Sequence, residues 1–200
     1  MLNIIIVAFH MHDDALNVAL IARKGVYMLP RDTLDTKESL DQAAQRISQH
    51  TLGTQLRSAY IEQLYTFNST TASATVAYFV LVAREVSIAH ATINWFDVQK
   101  LPNILASNRQ ILSYATKRLQ WKLEYTNVAY SLLPKEFTLS ELQHVYEVIL
   151  GTTLDKRNFR KKIASVKLLV PTKHKKRDGI HRPATLYRFI QHKPLFVSIV

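Results

Sequence analysis

The chain has 200 residues, 48% of them hydrophobic, with four glycines and a formal net charge of +11. That is enough apolar material for one large or two small cores, and it excludes a low-complexity, disordered polymer. There is no cysteine, which excludes disulfides, thiolate zinc sites and a cysteine nucleophile and fits a reducing, cytoplasmic setting. The charge is unevenly placed. Residues 1–125 carry 12 Lys/Arg against 10 Asp/Glu, whereas residues 126–200 carry 14 against 5. A net of +2 followed by +9 predicts two domains, the second facing a polyanion. A solubilising basic surface is the plainer alternative.

In chain order, Leu2–Phe9 and Ala15–Ala22 read as strands, joined by a polar turn over His10–Asp14. The run Ile4–Phe9 lacks a basic flank and a small-residue cleavage site, so it reads as a buried strand and not as a signal peptide. No stretch approaches the length of a membrane span. Glu38–Thr51 reads as a helix, with Leu40, Ala43, Ala44 and Ile47 at helical spacing and Gly53 as a stop. Three strand-like runs follow at Arg57–Phe67, Thr75–Ala83 and Ser87–Trp95, with Asn68–Ala74 as a loop. A long helix spans about Ser107–Lys122, carrying Ile111, Leu112, Ala115 and Leu119 on one face. His10, His12, Asp13 and Asp14 read as a turn more readily than as a metal site. Trp95 and Trp121 suit either a stacking role or partial burial.

The pattern changes after residue 125. Asn127–Leu133 is a short helical piece ended by Pro134. Thr138–Leu150 is a helix with clear punctuation. Thr138 and Glu141 have capping-box spacing, Phe137 and Leu142 are placed for a hydrophobic staple, and Gly151 suits a left-handed C-terminal cap. Asp155 then caps a second helix over Lys156–Lys167. Two helices joined by a short glycine-containing turn predict a helix-turn-helix.

On the second helix Phe159, Ile163 and Val166 form an apolar stripe. Arg157, Lys161 and Ala164 project opposite, flanked by Asn158, Arg160 and Ser165. Arginine can pair with guanine and asparagine with adenine in a major groove, and cations neutralise phosphates. An ordinary amphipathic helix with a solvated basic face would look similar. The residues beyond this helix favour DNA binding. Leu168–Val170 and Ala184–Phe189 read as strands around a basic loop from Pro171 to Pro183, a wing carrying Lys173, Lys175, Lys176, Arg177 and Arg182. Arg157, Asn158 and Lys161 are the base-edge candidates. Lys156, Arg160, Lys162 and the wing cations are the phosphate candidates. A single recognition helix reads few base pairs, so a homodimer on double-stranded DNA is expected.

Four segments carry a family resemblance: Tyr130–Pro134, Phe137–Gln143, Leu154–Arg160 and Arg182–Tyr187. They resemble the C-terminal winged helix of the Nudix-related (NrtR-like) transcriptional regulators, and the resemblance spans nearly the whole chain. It implies an α+β protein, a Nudix-like mixed α/β sandwich over residues 1–124 followed by a winged helix-turn-helix over residues 125–200. Members of this family control NAD metabolism or sugar utilisation, so a nucleotide or sugar-derived effector is implied as a second partner.

Set against the Nudix box G-x5-E-x7-R-E-U-x-E-E-x-G-U, with U apolar, Asp32 stands at the glycine, Glu38 at the first glutamate, Arg46 at the arginine and Gly53 at the final glycine. Ile47, His50 and Thr51 stand where the family has its magnesium-binding glutamates. None can serve as a hard anionic oxygen ligand, so no hydrolysis and no cofactor is expected. A pyrophosphohydrolase acting on a nucleoside diphosphate derivative is the enzymatic alternative, and an RNA- or protein-binding basic module is a third. Glu38 and Arg46, two turns apart on one helix face, read equally as relict site residues or as surface or structural groups. The segment Arg23–Leu29 is shorter than the family's usual loop, and Asn68–Ala74 lacks its arginine-rich segment. Both regions usually line the effector pocket.

Overall fold

A computed structural model describes residues 2–53, 59–70, 73–83, 93–177 and 183–199. The chain divides into two compact units, Met1–Arg118 and Leu119–Val200. The division falls within the long helix, six residues before the 124/125 boundary expected from the sequence.

The first unit is built on β1 (Leu2–His12), β2 (Ala15–Arg23), β3 (Val26–Met28), β4 (Arg31–Thr33), α1 (Leu40–Leu52), β5 (Tyr60–Thr70), β6 (Ser73–Val82), β7 (Ile93–Asp97) and α2 (Ala106–Tyr125). The described strands form one mixed sheet in the order β3-β2-β1-β6-β5, with β4 also paired to β1 and β7 to β2. The β1–β6 pair is parallel and continuous from Leu2↔Ala74 to His10↔Val82. A central parallel strand is covered on both faces and so carries no polar alternation. Accordingly Ile4, Ile5, Ile6, Val7, Ala8 and Phe9 are all buried. Ile4, Ile6 and Ala8 pack with Ala43, Ala44 and Ile47 of α1. From α2, Tyr114 meets Tyr65 and Phe67 of β5 at ring separations of 5.6 and 6.0 Å.

Several expected boundaries move. β1 runs to His12, so the turn is Asp13-Asp14 alone and not His10–Asp14. Both aspartates have positive φ, the two-residue geometry that matches strand twist. Lys24-Gly25 repeats it and starts β3. Strands as short as β3 and β4 contain too few residues for an alternating pattern, which is why neither was legible. The Asn68–Ala74 loop is shorter than expected, because β5 continues to Thr70 and β6 begins at Ser73. The expected strand residues 57–58 and 87–92, like loop residues 71–72, lie outside the described residues. His10 is buried, with Nδ1 3.3 Å from the Val82 carbonyl oxygen and its ring beside Trp95. No group of three His, Asp or Glu among the described residues is placed to hold a metal ion. No described helix is long and apolar enough to cross a membrane.

In the second unit a short 3-10 turn (Val128–Ser131) leads to α3 (Leu139–Leu150), α4 (Lys156–Val166), β8 (Leu169–Lys176) and β9 (Ala184–Phe189). The Thr138/Glu141 capping box is formed in both directions, and Gly151 takes the left-handed conformation at the end of α3. Phe137 and Leu142 are both buried, as the staple requires. Phe137 and Tyr187 exchange two backbone hydrogen bonds of 3.0 and 2.7 Å, adding a third strand segment beside β9. The apolar C-terminal stretch that begins at Leu195 docks within the unit. Asn127, itself buried, accepts from the Leu195 N–H at 2.7 Å and donates to the Lys193 carbonyl at 3.2 Å. Ile199 is buried, while Phe196 stays exposed and stacks on Tyr125.

The core between α3 and α4 contains one anomaly. Tyr146 is fully buried, and its hydroxyl has no hydrogen-bond partner among the described residues. A desolvated, unpaired hydroxyl costs about 1–3 kcal/mol. Tyr146→Phe is therefore expected to raise stability by about 1 kcal/mol in denaturant unfolding. A clear loss of stability would show that the hydroxyl is satisfied.

Candidate nucleic-acid interface

The candidate interface is built from α4 and β8. α4 contains five Lys/Arg residues and no acid. A helix so charged cannot be held by its own composition, and its orientation comes from two residues. Phe159 and Ile163 are its buried positions, and the Phe159 ring lies 5.5 Å from that of Tyr146 on α3. Asp155 caps the helix by accepting from the Asn158 N–H at 2.7 Å. Lys167 closes it in the left-handed conformation.

With Phe159 and Ile163 inward, helical geometry places Lys161 about 180° away and Arg157 about 140° away. Asn158 lies about 120° from the buried side, and Arg160 and Lys162 about 80° on either flank. Lys156, Arg157, Asn158, Arg160, Lys161 and Lys162 are all exposed. The stripe expected from the sequence is thus present for Phe159 and Ile163, with Val166 only half-buried.

The turn before α4 is tied by residues the sequence reading did not single out. Gln143 donates to the Leu154 carbonyl and to Glu147, and Glu147 accepts from the Leu154 N–H, each at 2.9 Å. The Leu154 N–H, then Gln143, holds the Glu147 carboxyl below its ordinary range. The i, i+4 spacing of Gln143 and Glu147 was the available signal.

The wing departs from expectation in one respect. β8 runs to Lys176, so Lys173, Lys175 and Lys176 sit on a strand and not in a loop. Lys173, Lys175 and Arg177 are exposed. Lys176 is drawn to the capping-box residue Glu141, with Nζ 2.9 Å from Oε1. Arg182 lies outside the described residues.

The Nudix-like helix α1 carries a different arrangement. Its N-cap is Ser39, so Glu38 precedes the helix and does not share a helical face with Arg46. The two still meet. Arg46 donates to both Glu38 oxygens at 3.0 and 2.6 Å, to Asp32 at 2.7 Å and to the Thr33 carbonyl at 3.0 Å. This clamp ties the loop before α1 to the helix. The Arg46 hydrogen bonds, followed by the Asp35 N–H, bring the Glu38 pKa down to about 2. Arg46 and then the Thr33 N–H also lower that of Asp32.

The three residues expected at the metal-binding positions of the Nudix box do not fit a magnesium ion. Ile47 lies in the apolar cluster with Ala43 and Ala44. Thr51 is buried and donates to the Ile47 carbonyl at 2.6 Å. His50 is exposed. None of the three brings an anionic oxygen, and Glu38 is engaged by Arg46.

The sequence profile of the NrtR DNA-binding winged helix domain matches residues 129–189. The ADPR responsive transcriptional repressor NtrR of Acinetobacter baylyi is 30% identical over 197 residues, covering 90% of this chain and 78% of that protein. This chain belongs to the NrtR family of Nudix-related transcriptional regulators. The crystal structure of Shewanella oneidensis NrtR complexed with a 27mer DNA superposes with a TM-score of 0.81, at 32% identity over 94% of this chain and 93% of that one. A MutT/nudix family protein from Enterococcus faecalis, 22% identical over 95% of this chain and 88% of its own, shares the fold with a TM-score of 0.72. The family's Nudix-like α/β unit and winged helix are therefore both present, as the resemblance implied.

The Arg46 clamp has a pH signature. Glu38 has a depressed folded-state pKa, so its contribution is present above its ordinary value of 4.5 and is lost as pH falls towards about 2. Thermal unfolding of the chain and of Glu38→Gln is expected to differ above pH 5 and to converge on acidification. A constant difference at every pH would contradict the charged clamp.

Proposed function

We propose that this chain is a cytoplasmic transcription regulator that binds double-stranded DNA as a homodimer through α4 and the wing. One observation carries the reading: α4 buries only Phe159 and Ile163 and leaves five cations and Asn158 exposed, beside a basic strand. Arg157, Asn158 and Lys161 lie farthest from the buried side and are assigned to base edges. Lys156, Arg160, Lys162, Lys173, Lys175 and Arg177 are assigned to phosphates, and Arg182 joins them on its charge alone. Lys176, held by Glu141, is assigned to positioning the wing in place of the phosphate role expected from the sequence. The DNA complex of the Shewanella relative supports the duplex as ligand.

The first unit is proposed as a non-catalytic effector domain. Ile47 has no ligating atom and lies in the core, and Thr51 offers only a neutral hydroxyl already donated to the Ile47 carbonyl, so neither supplies the anionic oxygen that magnesium takes. The Acinetobacter relative is an ADPR responsive repressor, which makes ADP-ribose the first effector to test and repression the first mode of action.

Two measurements check these assignments. Arg157→Ala is expected to narrow the gap between specific and random duplex, whereas Lys175→Ala weakens both and flattens the salt dependence by roughly one unit or less. Equal effects on cognate and random DNA from both substitutions would count against this division of roles. Incubated with ADP-ribose and magnesium, the chain is expected to release no product. Magnesium-dependent turnover that disappears in Glu38→Gln would instead establish the pyrophosphohydrolase.

A further inference from the structure

The wing is a two-stranded hairpin, and such hairpins are marginal on their own. Two carboxylates at the start of α3 hold this one by its side chains. Between Pro171↔Tyr187 and Lys175↔Thr185, β8 has three residues where β9 has one, so residues 172–174 form a bulge. Glu136 engages that bulge. Its carboxylate lies 2.8 Å from His174 Nδ1 and accepts from the Thr172 hydroxyl at 3.5 Å. Two residues further along the strand, Lys176 donates to Glu141 at 2.9 Å. The neighbours Lys173, Lys175 and Arg177 are exposed and form no ion pair with a described residue.

The two carboxylates are themselves well placed. Glu136 adjoins Phe137, which is fixed by its paired backbone hydrogen bonds to Tyr187. Glu141 is held by the capping box, where it accepts from the Thr138 N–H at 2.7 Å. Burial alone would raise the Glu141 pKa, but hydrogen bonds from Thr138 and Lys176 outweigh it and leave the group below its ordinary range. Both carboxylates are therefore anchored in backbone structure, while their partners belong to the bulged strand. A bulge re-aims the side chains it carries.

We infer that Glu136 and Glu141 are positioning residues for DNA binding: they hold β8 by Thr172, His174 and Lys176 and so fix how Lys173, Lys175 and Arg177 are presented to the duplex. The inference rests on the proposed DNA-binding role. It also explains why acidic groups stand inside a surface meant for a polyanion. By charge alone each should oppose phosphate, and a site selected only for charge would lack them.

That opposition makes the inference testable by sign. Glu136→Gln and Glu141→Gln each remove one negative charge, and glutamine can still close the capping box. If the carboxylates act only through charge, both variants bind duplex DNA more tightly. If they position the wing, both bind more weakly despite the added net positive charge. The expected loss is up to about fivefold each, the range of an exposed ion pair. The double variant should have a shallower salt dependence, by about one unit for each phosphate that the wing no longer reaches. His174→Ala should add nothing to Glu136→Gln, since both break the same tie.

Amide hydrogen exchange across β8, on the full chain without DNA, supplies a second readout. Faster exchange in Glu136→Gln, with α3 unchanged, is expected. Equal or tighter DNA binding by both variants would overturn the inference, as would unaltered exchange in β8. If the unsubstituted chain bound no duplex, the proposed function would fail, and the exchange result alone would decide whether the tether exists.

Discussion

The contact between Phe159 and Tyr146 is the constraint on which the proposed DNA-facing surface depends. α4 carries five cations within eleven residues, and like charges on one short helix do not favour compact packing. The burial of Phe159 against Tyr146 of α3, together with that of Ile163, keeps the helix in place. Fully burying a phenylalanine contributes about 1.5–3 kcal/mol, and emptying such a site costs about 3–5 kcal/mol once the cavity is counted. Against a total stability of about 5–15 kcal/mol, that one ring is a sizeable share. The same ring fixes rotation about the helix axis. With Phe159 and Ile163 inward, Lys161 and Arg157 must face outward, so packing and the presentation of charge are one arrangement.

The rest of the second unit secures that arrangement from outside the helix. Gln143 and Glu147 tie the turn that feeds α4, and Asp155 closes its first turn. The exchange of backbone hydrogen bonds between Phe137 and Tyr187 joins the start of α3 to the wing. Through Glu136 and Glu141 the wing is then held by side chains as well. Acidic residues are few after residue 125, and four of the five, Glu136, Glu141, Glu147 and Asp155, are in structural contacts, with Asp178 outside the described residues. After residue 125 these carboxylates organise the fold, while the described Lys and Arg side chains are exposed.

The first unit shows a related economy. Arg46 bonds to Glu38 and Asp32, so the loop before α1 is clamped to the helix. The next turns serve packing: Ile47 fills the core, and Ser48 and Thr51 bond back to the helix carbonyls. In this Nudix-like unit Arg46 serves the tie between loop and helix, while the side chains of the following turn serve packing. This division fits a family whose members work as regulators.

Much of the second unit was legible in the sequence because its signals are local. The capping box at Thr138, the cap at Asp155 and the glycine at 151 each act within a few residues. The first unit was harder to read. β3 and β4 are three residues each, and the turn after β1 depends on positive φ at two aspartates. The site behaved likewise. Exposure of the α4 cations followed from helical periodicity, whereas the ties from Glu136 to His174 and from Glu141 to Lys176 span 38 and 35 residues and belong to tertiary structure alone. The most direct test of the central claim is selection of genomic fragments by the full chain, with and without ADP-ribose. Enrichment of a short motif repeated with twofold symmetry, weakened by the effector, is the expected result. Fragments recovered in proportion to their input, with no common motif, would contradict sequence-specific binding by this winged helix.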